Sequence, residues 1–123
     1  MGNPRHDLGL AAESAVASWL QADGWQVLVR RWRVPEGELD LVCLDPSAIV
    51  VAVEVRARRT PRAGSGLESI DGRRLRRLRA ALGRYLATEA VPHTGVRIDL
   101  VTVSAEPGTD RWRLSRHPAV DAW

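Results

Sequence analysis

The sequence predicts an α/β domain with a mixed central sheet and a helix on each face, and three observations carry that reading. Hydrophobic periodicity orders the elements as helix, three strands, helix, two strands. The third strand is apolar on both sides, with Val51, Val53 and Val55 pointing one way and Val50 and Ala52 the other, a pattern that belongs to a strand covered on both faces. A chain of 123 residues can bury one substantial core and is too short for a second full domain. Both helices therefore close over the same sheet.

The first helix is expected from Asp7 to Asp23, with Asp7 as N-cap and Gly24 as its stop, after a flexible stretch over residues 1–6. Ala12, Ala15, Val16, Trp19 and Leu20 form its apolar stripe. Glu13 lies three and seven residues before Val16 and Leu20, which sets a carboxylate on or beside that stripe, where it needs a partner. Trp25 to Val34 alternates as a strand, and Pro35 to Gly37 turns the chain into a hairpin running to Arg58. Asp45-Pro46-Ser47 supplies its turn, since Pro presets φ while Asp and Ser bond their own backbone. With the turn centred near Ser47, Leu44 faces Val50, Val42 faces Ala52, Asp40 faces Glu54 and Glu38 faces Arg56. Two carboxylates opposed on neighbouring strands, with Cβ atoms roughly 5 Å apart, repel, so a cation is expected between them.

Thr60 to Gly66 holds three helix and strand breakers and reads as a mobile loop, spanning about 59–67. The second helix starts at Glu68 or Asp71 and runs to Glu89, with Leu75, Leu78, Leu82, Tyr85 and Leu86 as its core face. Arg73, Arg74, Arg76, Arg77, Arg79 and Arg84 cover the rest, with no acid between Arg73 and Arg84 to relieve them. In the strand Val96 to Val103, Val96, Ile98, Leu100 and Thr102 face away from Arg97, Asp99, Val101 and Val103. The Glu106-Pro107-Gly108 turn precedes a last strand, Arg111 to Arg116.

All 18 basic residues are arginine, and the formal charge is +3 with a pI of about 10.3. Nine of them fall between Arg56 and Arg79, against Glu68 and Asp71 alone. That asymmetry suits a polyanionic partner, although a basic helix face can equally be a solvated one. No apolar run approaches the ~18 residues of a membrane span, and the polar N-terminus gives no sign of export. The single Cys43 permits no internal disulfide and reads as a small buried hydrophobe, with a reducing cytoplasm as the expected compartment. One Cys and the scattered His6, His93 and His117, which read as surface residues, lack zinc-ligand spacing, and there is no Gly-rich phosphate loop. Trp19 and Trp25 are assigned to the core, while Trp32 and Trp112 are open to core or base-stacking roles.

Asp40, Glu54 and position 56 have the spacing of a hairpin that holds a divalent cation for phosphodiester hydrolysis. Mg²⁺ or Mn²⁺ takes oxygen ligands and keeps several waters, so Asp40, Glu54 and the Val55 backbone carbonyl are a sufficient protein contribution. Glu13 would reach the metal through water or assist the attacking water. Arg56 would steady charge on the phosphate oxygens, and Arg58, Arg59, Arg62, Arg73, Arg74 and Arg77 would hold the nucleic-acid backbone. Glu38 is a supporting acid. The competing structural reading pairs Asp40 and Glu54 with Arg56, Arg58 or Arg97 at a sheet edge, and Asp99 either pairs with Arg97 or joins the site.

Gly37-Glu38-Leu39-Asp40 and Val53-Glu54-Val55-Arg56-Ala57-Arg58, with Gly9 and Glu13 before them and Arg97-Ile98-Asp99 after, resemble the bacterial YraN-like family of small uncharacterised proteins. That family is similar to restriction-endonuclease-like nucleases, archaeal Holliday-junction resolvases among them. The resemblance extends from Gly9 to about Val103, most specifically in the hairpin. It implies an αβββαβ core, a metal held by Asp40 and Glu54, Glu13 as the helix acid, and DNA, branched or otherwise non-B-form, as a substrate. Arg56 stands where the family pattern has lysine. Arginine stays charged and cannot act as a general base, though it still binds phosphate. Two functions are thus open: a metal-dependent endonuclease, or a nucleic-acid-binding module that keeps the fold without turnover. A homodimer would suit a two-fold junction, but no dimer surface is legible.

Overall fold

A computed structural model describes residues 4–58 and 70–122. The elements in order are α1 (Pro4–Ala22), β1 (Gln26–Val34), β2 (Gly37–Leu44), β3 (Ile49–Arg58), α2 (Gly72–Thr88), β4 (Gly95–Ala105) and β5 (Trp112–His117), closed by a 3-10 turn, Val120–Ala122. The strands lie side by side in chain order in one five-stranded sheet. Every neighbouring pair is antiparallel except β3 and β4. A parallel pair needs a crossover connection, and α2 provides it.

The two helices cover opposite faces, as the doubly apolar β3 requires. On one side Ala12, Val16, Ala17 and Leu20 of α1 pack on Leu41, Cys43, Val51, Val53, Val101 and Val103. On the other, Leu78, Ala81, Leu82 and Tyr85 of α2 pack on Val42, Val50, Ala52, Ile98 and Leu100. β3 alternates between these two cores from Val50 to Val53, each residue buried. Full burial of a Val side chain contributes roughly 1.5–3 kcal/mol, so the strand that carries Glu54 is anchored on both faces immediately before that residue.

The hairpin turn forms through its own side chain. Asp45 accepts from the Ser47 N–H at 2.8 Å and from the Ile49 N–H at 3.0 Å, and Ala48 takes the left-handed conformation at φ 65°. Leu44 then pairs with Val50 and Val42 with Ala52, the expected register. α2 is capped by Asp71, whose carboxylate accepts the Arg74 N–H at 2.9 Å.

Three sequence expectations are corrected. α1 begins at Pro4, so residues 4–6 join the helix and Asp7 sits in its first turn instead of capping it; proline suits the first helical position because its missing N–H has no partner there anyway. Trp19 is 41% exposed, and Ala17 is buried in its place. With side chains stepping about 100° around the axis, an arc through Ala12, Val16, Leu20 and Ala17 turns Trp19 out and brings Glu13 within its margin. His117 is half-buried where a surface position was expected. Residues 1–3 and the loop at 59–67 lie outside the described residues.

Candidate functional site

The β2–β3 ladder ends before the facing acids meet. The last paired residues going away from the turn are Leu41 and Val53. Beyond them the Asp40 Oδ2 accepts the Val55 N–H at 2.9 Å, so a side-chain oxygen takes a backbone donor and the strands separate around the carboxylate. The opposite neighbour is irregular at the same level. Pairing of β1 with β2 passes from Arg30–Leu41 to Trp32–Leu39, and Arg31 between them has φ 53°, a conformation that costs a non-glycine residue of order 1 kcal/mol. Leu41 belongs to the α1-side core and Leu39 to the α2-side core. The two-residue alternation of β2 is therefore broken at Asp40.

Glu54 is only 3% exposed, and a buried carboxylate needs a cation. Arg74 supplies it from the first turns of α2, with Nη2 donating to Oε1 at 2.8 Å and to Oε2 at 3.0 Å, and Nε donating to Oε2 at 3.2 Å. The Asp71 cap sets the start of that helix and so the height of Arg74. The cation expected between the hairpin strands is thus neither Arg56 nor Arg58, and Arg97 is occupied by Asp45 and Asp99.

One guanidinium does not satisfy the whole group. Burial, followed by the charge of Glu54 and its carboxyl within hydrogen-bonding reach, pushes Asp40 up to about 8 despite the Val55 N–H, and Glu13 adds to the effect. Two carboxyls thus compete beside one guanidinium, and Asp40 is the one whose proton affinity rises. Glu13 is also raised, first by burial, with Arg31 and Arg30 opposing and Glu38 and Glu54 reinforcing. Its Oε1 is buried and has no hydrogen-bond partner among the described residues. Glu38, paired with the exposed Arg33 at 3.2 Å, lines an open cleft together with Gly37, Asp40, Arg74, Arg77 and Leu78.

Glu13, Glu38, Asp40 and Glu54 therefore sense one another, α1 contributing from one face of the sheet and the hairpin from its end. Arg56 is half-buried, and its Nε has no hydrogen-bond partner among the described residues. Arg58 ends β3 half-buried, while Arg73 and Arg77 are exposed on α2. Arg59 and Arg62 lie outside the described residues. Asp99 is fully buried and joined to Arg97 and Arg116, apart from the cleft. Trp32 packs edge-on to Tyr85, ring centres 5.3 Å apart, and Trp112 packs on the α1-side core. Sequence reasoning missed Arg30 and Arg31 as the cations nearest Glu13 in effect, and Arg74 as the partner of Glu54. A non-glycine residue at positive φ has no sequence signature, and the Arg74 pairing depends on how α2 lies across β3.

Among the described residues, no three His, Cys, Asp or Glu side chains are gathered closely enough to enclose a cation as they stand. The donor chemistry nevertheless fits a hard divalent ion. Asp40 and Glu54 offer oxygens, and the orphaned Glu13 Oε1 is an acceptor that a metal-bound water would satisfy.

Residues 12–103 match the family model described as Uncharacterised protein family UPF0102. The chain belongs to that family. Among its relatives, a UPF0102 protein of Bifidobacterium longum subsp. infantis is 40% identical over 102 residues, 81% of this chain and 82% of the relative. One of Deinococcus radiodurans is 36% identical over 107 residues, 86% and 87% of the two chains. One of Pseudomonas putida is 45% identical over 98 residues, 77% of each. All three come from bacteria. The UPF0102 segment takes in Glu13, Asp40, Glu54, Arg56 and Arg74 and ends before β5. Among the described residues, no helix is long and apolar enough to cross a membrane.

Proposed function

We propose that this UPF0102 protein is a Mg²⁺- or Mn²⁺-dependent endonuclease acting on DNA, with branched or otherwise non-B-form DNA as the substrate class to test first. The observation that carries this reading is the under-compensated acid group at the hairpin end: Arg74 is engaged by both oxygens of Glu54, Asp40 beside it makes no ion pair among the described residues and has a raised proton affinity, and Glu13 keeps a buried oxygen without a hydrogen-bond partner among the described residues. A divalent ion at this position would supply the missing positive charge, lower the pKa of a bound water and polarise a phosphate oxygen. Asp40, Glu54 and the Val55 carbonyl would hold it. Glu13 Oε1 accepts a hydrogen bond from a water on the α1 side and so orients it. The half-buried Arg56, whose buried Nε has no hydrogen-bond partner among the described residues, would contribute positive charge toward a phosphate oxygen, and the exposed Arg73 and Arg77 offer charge to the backbone on the α2 side.

The test is cleavage of duplex, single-stranded and four-way-junction DNA with Mg²⁺ or Mn²⁺, using wild type, Asp40→Ala and Glu54→Ala. Wild type should cut and both variants should lose at least a hundredfold in rate; equal cutting by all three would trace the activity to a contaminant.

Arg56 favours a second reading, a DNA-binding module without turnover, because a permanent cation stands at the position where a lysine could lose its proton. Arg56→Lys separates the two. Cutting gained only in that variant supports a site that binds and no longer turns over, whereas cutting by wild type removes this alternative.

A further inference from the structure

The Glu54–Arg74 pair carries an inference that rests on the metal-dependent reading and extends it to how the site is loaded. Both oxygens of Glu54 are engaged by one guanidinium through three contacts of 2.8 to 3.2 Å. The carboxylate is almost wholly buried, while the Arg74 side chain is 36% exposed. One partner is thus fixed inside the sheet and the other stands at the wall of an open cleft, which it lines with Glu38, Asp40 and Arg77. A divalent ion at Asp40 needs a Glu54 oxygen, and both are occupied by the arginine fork. Ion and guanidinium seek the same lone pairs, and like charges at that distance repel.

We propose that Arg74 is an exchangeable counter-ion of this site: it neutralises Glu54 in the metal-free protein, and a divalent cation displaces it into the cleft. Three features of the structure suit exchange over a permanent structural bond. Among the described residues the Arg74 side chain bonds Glu54 alone, while its backbone is held separately by the Asp71 cap, so the side chain can leave Glu54 without disturbing α2. The cleft beside it gives the guanidinium an open, hydrated place to go, so its release does not leave a buried unpaired charge. Asp40, adjacent to the pair, makes no ion pair among the described residues and accepts only the Val55 N–H there, so the arriving ion gains two carboxylates while Arg74 gives up one. The released fork then faces the side of the cleft bounded by Arg77, where two guanidiniums can take one phosphate. Metal and DNA would thereby strengthen each other's binding, since coupling between two ligands is reciprocal.

Mn²⁺ titration by calorimetry on the metal-free full chain tests this without any turnover. Arg74→Gln should bind Mn²⁺ roughly tenfold or more tightly than wild type, because the competitor's charge-assisted hydrogen bonds are gone. Arg74→Lys, which keeps the charge but not the fork, should fall between the two and guards against a folding defect in the glutamine variant. Circular dichroism of both variants verifies the fold. Equal or weaker Mn²⁺ binding by the folded variants would overturn the exchange while leaving the metal site in place. Absence of Mn²⁺ binding in wild type and both variants would instead remove the metal-dependent reading and this inference with it.

Discussion

Asp99 and Glu54 are the buried charged side chains among the described residues, and their surroundings differ in one respect that matters. Asp99 accepts from Arg97 Nε at 3.0 Å and Nη2 at 3.3 Å, from Arg116 Nη1 at 3.0 Å and from the Ala119 N–H at 2.8 Å. Both guanidiniums also lie over the Trp25 ring, 5.6 and 5.3 Å from its centre, and Arg97 reaches on to Asp45 at 2.8 Å. Two cations there serve two acids, and every oxygen of Asp99 is engaged. At the other cluster a single guanidinium serves Glu54, and Asp40 and Glu13 are left with raised proton affinity. Burying a carboxylate is therefore not in itself a sign of function. The satisfied cluster ties β4 to β5 and the C-terminal turn, whereas the unsatisfied one is where the proposed divalent cation would bind.

The sharpest way to break this contrast is Asp99→Ala. It leaves Arg116 without its buried anion and Arg97 with Asp45 alone, and should cost roughly 3–5 kcal/mol in urea unfolding, with no dependence on added Mn²⁺. A loss below about 1 kcal/mol would show that the cluster is a surface-like network after all.

At the other cluster the same kind of change has the opposite sign. A carboxyl whose folded pKa is raised binds its proton more tightly folded than unfolded, so its contribution to stability falls as pH rises from the ordinary value of 3.8 toward about 8. Asp40→Asn keeps an oxygen for the Val55 N–H and removes that loss. In metal-free buffer it should be more stable than wild type at pH 9 by on the order of 2 kcal/mol and nearly equal at pH 4. An unchanged pH slope in urea unfolding would contradict the crowding of charge inferred there.

The smallest effect belongs to the satisfied side. Burial of Asp45 acts to raise its pKa, but hydrogen bonds from the Ile49 N–H, from Arg97 and from the Ser47 N–H outweigh it, and the net direction is down. Its stabilisation is present above about 4 and is lost as pH falls through the lowered folded value. Asp45→Asn, which retains the turn acceptor and loses the Arg97 charge pair, should cost about 1 kcal/mol at pH 7 and progressively less as pH falls below about 4, read from paired urea melts.

Much of the frame was legible in the residues. The turn Asp45-Pro46-Ser47 set the hairpin register, since its acceptors are local, and the double alternation of Val50 to Val53 placed β3 between two cores. Leu78, Leu82 and Tyr85 named the buried face of α2. The expectation that Asp40 and Glu54 share a side came from the hairpin register, and that of Glu13 beside them from the family resemblance. Departures arose where long-range contact prevailed over local pattern. Trp19 turned outward because the arc of α1 that meets the sheet is rotated toward Ala17, and β2 lost its alternation at Asp40 because its neighbours on both sides stop pairing regularly there.

The sequence by itself determined the order of elements, the two-sided core and the acids that end the hairpin, all consequences of short-range periodicity and turn chemistry. Only the tertiary structure decided which cation answers which acid. Eighteen arginines in one chain are chemically identical; Arg97 meets Asp99 through local spacing on β4, but what separates Arg74 on Glu54 from Arg116 on Asp99 is the placement of α2 across β3 and of β5 beside β4. Those placements bring together residues 20 and 17 positions apart. Charge pairing acts over a few ångströms of space, and no local spacing encodes that distance.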